Sequence, residues 1–517
     1  MKKPDMFNKD LLTTIGPLLP LGAVLLSFPN IAQSESYAIV DTNQTLCVGL
    51  SSTSKSCPNQ SNQGLGQDAQ YQGIQPSYTL VEQTMVLDNN TQLTWTQTTD
   101  INADGVIDSR DKLSYNEAMQ YANNLRLGGH SDWRIPSIKE LYSLILFDGQ
   151  DPSGLNGAGS YSIMPFIDHR YFGFNSGDIN AGERLIDSQY LSSTKYVSTT
   201  MNGEETIFGV NFIDGRIKGY GASKRGKDKT FYVLAVRGNN NYGINDFSDN
   251  KNGVISDLAT GLQWQQSDSE QAMNWPQALG YCESLNLAGN KQWRLPNVKE
   301  LQSIVDYSRS PDTSSSAALD PIFNSSSMLN EAGQTDYPNY WSSTTHLNLN
   351  SAKNAAYVAF GRSMGQMQGQ WIDVHGAGSQ RSDPKTGDAS KYPNGHGPQG
   401  DAVRIDNYVR CVSGGGVEFE QQANEISRES KIYTLSADQL SMDQASNGKM
   451  GKNGDKDKNR QNGKPLKASN DIFSQMDRNK DGKLSKSEVK GPLAKDFDRI
   501  DRNSDGFISQ DELPKRP

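Results

Sequence analysis

Two hydrophobic patterns alternate along this chain, and each occurs twice. Apolar and polar residues alternate in TQLTW, ending at Trp95, and in TGLQW, ending at Trp264, the period of a half-buried strand. Beyond the first strand, Tyr115, Ala118, Tyr121, Ala122 and Leu125 recur at helical spacing and predict a helix over about 114–127. A second helix is predicted from Ser137, because Glu140 stands three residues on and completes a capping box; Asn297 and Glu300 repeat it. Three strand-like segments with long Gly/Ser/Asn loops follow each helix pair. The expected unit is α+β, with two helices against a mainly antiparallel sheet.

The repetition is an internal duplication. SDWRIPSIKELYSLI (131–145) matches KQWRLPNVKELQSIV (291–305), and the offset extends upstream through Ala118/Ala278, Tyr121/Tyr281, Leu125/Leu285 and Leu127/Leu287. Downstream, YLSST (190–194) matches YWSST (340–344), and IFGVNF (207–212) pairs with AYVAF (356–360). LAVRG, ending at Gly238, pairs with NYVRC, ending at Cys411. Two tandem domains are therefore expected, over 78–240 and 244–415. Trp133, Arg134 and Glu140, with Trp293, Arg294 and Glu300, recur in both, and packing, internal pairing and helix capping explain them. Copy one has Ala122 opposite Cys282 and, by this alignment, Gly238 opposite Cys411. Joint loss of both partners predicts a Cys282–Cys411 disulfide, whereas a single loss would point to a reactive thiol.

At 517 residues the chain needs several units. Its low hydrophobicity and net charge of −9 fit a polar, strand-rich protein and argue against a nucleic-acid partner. Lys2 and Lys3, an apolar stretch over 11–28 and small residues at Ala32 and Ser34 predict an export signal over 1–34; an uncleaved anchor is the competing reading. Residues 35–77 read as a loose Ser/Gln-rich lead segment closed by a Cys47–Cys57 disulfide, which suits an oxidising compartment outside the cytoplasm. Residues 416–468 read as a disordered polar linker, and 469–517 hold a last, small module.

One loop pattern appears three times. DRNKDGKLSKSE, DRNSDGFISQDE and DINADGVIDSRD each set oxygen-bearing side chains at positions 1, 3, 5 and 9, glycine at 6 and a carboxylate at 12. Ca2+ takes six to eight oxygens, and this alternation wraps them round a point. In 469–517, Phe473, Met476, Phe497 and Ile500 precede the loops, Val489 and Leu513 follow, and Leu484 and Ile508 stand at position 8. This resembles an EF-hand pair, an all-α module. The resemblance implies ligands Asp477, Asn479, Asp481, the Lys483 carbonyl, Ser485 and Glu488 for one ion, and Asp501, Asn503, Asp505, the Phe507 carbonyl, Ser509 and Glu512 for the other. The third loop would use Asp100, Asn102, Asp104, the Val106 carbonyl, Asp108 and Asp111. A polar turn is its alternative reading. Copy two has no such loop. Calcium here is expected to be structural, since the paired loops start close together and leave short helices.

The WR-[IL]-P-x-[IV]-K-E-L core, YWSST and YVRC resemble the Lcl C-terminal domain family, named for a bacterial collagen-like adhesin. The resemblance implies two tandem C-type-lectin-like domains and a surface binding module, with a glycan or matrix polysaccharide as partner. A stretch of copy two, 371–404, reads as an insertion that copy one lacks, and its His375, Arg381, Asp383, His396 and Asp401 are candidate ligand contacts. No nucleophile elbow, Walker loop or zincin motif is present, so the expected class is non-enzymatic. The alternatives are an exported enzyme with its site in 371–404, or a calcium-stabilised structural or buffering protein.

Overall fold

The computed structural model describes residues 37–48, 57–60, 64–155, 159–224, 226–349, 351–420, 428–435, 483–486, 488–489, 497–501, 503 and 505–509. The expected signal segment at 1–34 and most of the 416–468 linker lie outside these. The chain divides into two compact units, Met1–Asn453 and Gly454–Pro517.

Among the described residues of the larger unit both copies build the same two helices and seven matching strands, and copy one adds the strand Gly159–Ile163. Copy one has β1 (Tyr78–Val81), β2 (Met85–Asp88), β3 (Leu93–Thr96), α1 (Tyr115–Asn124) and α2 (Ile138–Ser143). It continues with β4 (Gly159–Ile163), β5 (Gln189–Thr200), β6 (Glu204–Asn211), β7 (Arg216–Gly221) and β8 (Val236–Gly238). Copy two has β9 (Phe247–Asp249), β10 (Val254–Asp257), β11 (Leu262–Gln265), α3 (Trp275–Glu283) and α4 (Val298–Ser303). Its remaining strands are β12 (Asn339–Asn348), β13 (Ser351–Ala359), β14 (Gln380–Pro384) and β15 (Val412–Gly414). The fold is α+β and mostly β, as expected. Each helix opens on a capping box, Ser114/Glu117 and Ser137/Glu140 in copy one, Asn274/Gln277 and Asn297/Glu300 in copy two.

Each copy closes a small antiparallel sheet, ordered β8-β3-β2-β1 and β9-β10-β11-β15. A larger six-stranded sheet joins the copies in the order β12-β13-β14-β7-β6-β5, with Gln380 opposite Ile217 at the seam. The copies are therefore related by a pseudo-twofold. Two equivalent lysines cross it: Lys139 donates to Ser303 O at 2.6 Å and Lys299 to Ser143 O at 2.8 Å. Each cation thus sits at the carboxyl end of the other copy's helix, where the backbone dipole favours it. One buried cluster runs through both copies, from Trp95, Leu141 and Phe147 to Leu301, Val305 and Trp264.

Four expectations need correction. Val236 faces Trp95 and Val412 faces Trp264, so the final strands align Gly238 with Gly414 and Ala235 with Cys411. The VRG and VRC triplets match by composition, three residues out of register. Cys282–Cys411 does form, and so does Cys47–Cys57. Second, the lead segment is not loose. Val40, Asp41, Thr42, Asn43, Gln44, Asp68 and Gln70 are buried, and Gln44 bonds Thr345 N (2.8 Å) and Thr345 O (2.7 Å) of copy two and Phe147 O (3.2 Å) of copy one. A polar segment can be buried when its groups are paired in this way.

Third, residues 428–435 of the expected linker are ordered. Strand β16 (Lys431–Leu435) pairs with β4, and buried Arg428 binds Asp148. Fourth, the 371–404 stretch is not one inserted loop, because β14 is a central strand and the counterpart of β7. The real additions are a hairpin of Met364–Met367 with Gln370–Asp373 and a loop over 385–407.

In the smaller unit, α5 (Phe497–Ile500) precedes the second loop, and Lys483–Ser485 pairs antiparallel with Phe507–Ser509. Leu484 faces Ile508, the position-8 contact read from the sequence. Both are buried with Val489, Phe497 and Ile500.

Candidate functional site

The Asp501 loop and the Asp100 loop have the same internal wiring. In the first, Gly506 N donates to Asp501 Oδ2 (2.9 Å), Asp505 N to Asn503 Oδ1 (2.9 Å) and Phe507 N to Asp505 Oδ1 (3.0 Å). In the second, Gly105 N donates to Asp100 Oδ2 (2.8 Å), Asp104 N to Asn102 Oδ1 (2.9 Å) and Val106 N to Asp104 Oδ1 (2.9 Å). Both position-6 glycines have φ of +83°, a conformation L side chains resist. Position 9 also donates to the carboxylate at position 12 in Ser485–Glu488 and Asp108–Asp111, each at 3.0 Å. Asp477, Asn479, Asp481 and Glu512 lie outside the described residues.

The Asp100 loop differs in its surroundings. A strand precedes it, its last three positions, Ser109–Asp111, form a single 3-10 turn, and Asp111 is buried and accepts Ile101 N (3.1 Å). Arg110 spans Asp104 (2.7 Å) and Asp108 (2.6 Å), and its hydrogen bonds hold the Asp108 carboxyl below the usual carboxylate range. Asp100 Oδ1 is buried without a hydrogen-bond partner among the described residues. That orphaned oxygen fits a cation, since a buried carboxylate oxygen left unpaired is costly. Among the described residues no group of three or more His, Cys, Asp or Glu side chains converges as a metal site.

The candidates of 371–404 separate. His375, Arg381 and Asp401 form one cluster: His375 Nε2 lies 3.1 Å from Asp401 Oδ1, and Arg381 Nη2 bonds Asp401 Oδ2. Burial, then the Arg381 charge, lowers His375 to about 4, so the ring is neutral. Burial raises the Asp401 carboxyl, but Arg381 and His375 outweigh it and hold it well below the carboxylate range. Asp383 is buried, accepts Arg404 N at 3.2 Å, and is pushed up to about 6 by burial. These residues tie the additions to the central sheet. His396 exchanges two backbone hydrogen bonds with Asp401 (2.8 Å each), but its side chain is exposed and edge-on to Tyr392 at 6.2 Å.

A cavity of about 400 Å³ opens beside them, lined by Trp371, Tyr392, Tyr408, Asn339, Asn407 and Arg404, among others. Asn339 and Asn407 are buried, and the Oδ1 atom of each has no hydrogen-bond partner among the described residues. Arg404 is bound by Glu331 (2.8 Å), which takes up its charge. Of these lining residues Trp371, Tyr392 and Arg404 fall within the 371–404 stretch, none of them as a candidate contact. The spacing of aromatics at 371, 392 and 408 was the available signal, but only folding brings them to one wall.

The repeated WR…E core is structural. Arg134 pairs with Glu140 at 2.5 Å and Arg294 with Glu300 at 2.6 Å, while each glutamate also caps its helix. Trp133 and Trp293 are buried.

Residues 84–237 and 253–375 match the Lcl C-terminal domain, together more than half of the chain, and residues 470–491 and 494–515 each match an EF hand. No curated protein and no solved structure matches. No helix among the described residues is long and apolar enough to cross a membrane. The chain thus belongs to the Lcl C-terminal domain family, in two copies, followed by an EF-hand pair that binds calcium.

Proposed function

We propose that this is an exported, non-enzymatic binding protein of the cell surface or periplasm. Its two repeats, of C-type-lectin-like architecture, present a glycan site, and calcium stabilises it in two places. The observation that carries the glycan reading is the copy-two cavity. Three aromatic side chains and two buried amide oxygens that lack a partner among the described residues suit a sugar, which offers apolar ring faces and hydroxyl donors. With Arg404 neutralised by Glu331 and the exposed Asp406 at the wall, neutral sugars fit better than sulfated ones. The two disulfides agree with an extracytoplasmic setting.

The EF-hand pair would be an all-α module holding one ion per loop through the position 1, 3, 5, 7, 9 and 12 groups. The Asp100 loop would hold another through Asp100, Asn102, Asp104, the Val106 carbonyl, Asp108 and Asp111, with Arg110 swinging away. Calcium there would stabilise the strand-to-helix turn of copy one. The test is titration with neutral and sulfated oligosaccharides, followed by calorimetry with and without calcium. Neutral sugars are expected to bind, and Trp371→Ala to weaken them by about 2 kcal/mol, the scale of an aromatic anchor. Absence of any binding, or an unaffected W371A variant, refutes the assignment.

A further inference from the structure

The pseudo-twofold presents one groove twice, and the described residues fill only one of them. In copy two, the groove between the start of α4 and β12 is occupied by the lead segment. The Thr344 hydroxyl donates to Asp68 Oδ2 at 2.6 Å, the Arg294 guanidinium lies 5.4 Å from the Tyr71 ring centre, and Phe147 N donates to Thr42 O at 2.7 Å. Around the twin groove the equivalent positions are Thr194 and Arg134 of copy one and Tyr307 of copy two. They border a cavity of about 570 Å³, with Ser137, Lys139 and Glu140 along its wall.

The counterparts keep every internal bond of their twins and lack the external ones. Thr344 accepts Val298 N at 2.9 Å and Thr194 accepts Ile138 N at 3.0 Å, but among the described residues the Thr194 hydroxyl proton has no acceptor. Tyr307 N has no partner among the described residues either. Arg134 keeps its glutamate, yet its side chain is 32% exposed where that of Arg294 is 4% exposed. The segment joining the copies covers only one side, through Gly243 O (3.0 Å) and Asn245 Oδ1 (2.9 Å) on Lys139. It precedes copy two as the lead segment precedes copy one, but it is far shorter.

We propose that the copy-one groove is a peptide-docking site for an extended segment of a partner protein. That segment presents a carboxyl group to Thr194, an aromatic ring three residues later to the Arg134 guanidinium, and a backbone carbonyl to Tyr307 N. The spacing is that of Asp68 and Tyr71, which fill the twin. A chain, rather than a small molecule, occupies the twin, and the two unmade donors lie where that chain makes its bonds. This site is separate from the sugar cavity and does not depend on it.

The probe is a synthetic 37–73 segment of this chain, closed by its Cys47–Cys57 disulfide, labelled and titrated with the full mature protein by fluorescence anisotropy. Saturable binding is expected. Thr194→Val in the protein and Asp68→Ala in the probe should each weaken it about tenfold, the upper effect of one net hydrogen bond. Arg134→Lys, which keeps the charge beside Glu140, serves as a second variant and should weaken it through loss of the planar stack. Lack of saturation up to about 1 mM, a range in which even weak association registers, overturns the proposal. So does binding that responds to Thr344→Val and not to Thr194→Val, which would mean the probe only exchanges with the lead segment in copy two.

Discussion

Replacing Cys282 and Cys411 together with alanine tests both the corrected alignment and the energetics of the pair. The bond closes a separation of 129 residues and ties α3 to the strand approach of β15. Loop-closure entropy for that length gives about 5 kcal/mol at 25 °C, against about 3 kcal/mol for the short Cys47–Cys57 loop. Both sulfurs are fully buried, so two holes would normally add to the loss. Copy one shows that the fold accepts alanine there, because Ala122 and Ala235 occupy the equivalent positions in its core. The double variant should therefore keep its fold and lose most of the entropic stabilisation. Urea unfolding followed by tryptophan fluorescence measures it: Trp264, Trp275, Trp293 and Trp341 report copy two, and Trp95 and Trp133 report copy one. Because one core runs through both copies, both sets of signals should move to lower urea together. An unshifted midpoint, or a smaller shift than Cys47→Ala/Cys57→Ala gives, refutes the reasoning.

Three further outcomes follow from particular residues. Burial, then the Asp41 charge, raises Asp68 from 3.8 to about 8, so the folded chain holds that proton more tightly; its stabilisation is complete below pH 3.8 and is lost as pH climbs toward 8. Asp68→Asn keeps the acceptor for Thr42 and Thr344 and should flatten that part of the stability–pH curve; an unchanged slope in chemical denaturation would exclude the linkage. Gly238→Ala and Gly414→Ala should each destabilise by about 1–2 kcal/mol or more, since both have positive φ (+85° and +77°) and a Cβ would stand 2.8 Å from a carbonyl oxygen, and equal melting temperatures would contradict this. Arg428→Ala leaves partly buried Asp148 and the Pro165 and Ile167 carbonyls without this donor, so limited proteolysis should cut near 428–435 sooner than in the unaltered chain.

What the sequence disclosed followed from local chemistry. Capping boxes, helical spacing and the calcium-loop pattern act over a few residues, so the helices, the position-8 contact and the loops were legible. Duplication supplied long-range information, and it placed Cys282 beside Cys411. It failed at the last strand, where VRG and VRC matched across a three-residue slip that only the pairing of Trp95 with Val236 and Trp264 with Val412 resolves. The lead segment was misread because its burial rests on hydrogen bonds of Thr42, Gln44 and Asp68, not on apolar periodicity. The cavity was out of reach for a related reason: Asn339, Trp371, Tyr392 and Tyr408 meet only after β14 takes its place in the shared sheet.

Calcium binding is tested most directly by isothermal titration of the full chain with Ca2+, beside the D477A/D501A double variant and a D100A variant. Loops of this kind in exported modules bind at about 10⁻⁴ to 10⁻³ M, so the titration must reach millimolar calcium. The expected result is one ion per loop in the unaltered chain, loss of both EF-hand ions in D477A/D501A, and loss of the remaining ion in D100A. Unchanged heat in the double variant would contradict calcium binding by the EF-hand pair.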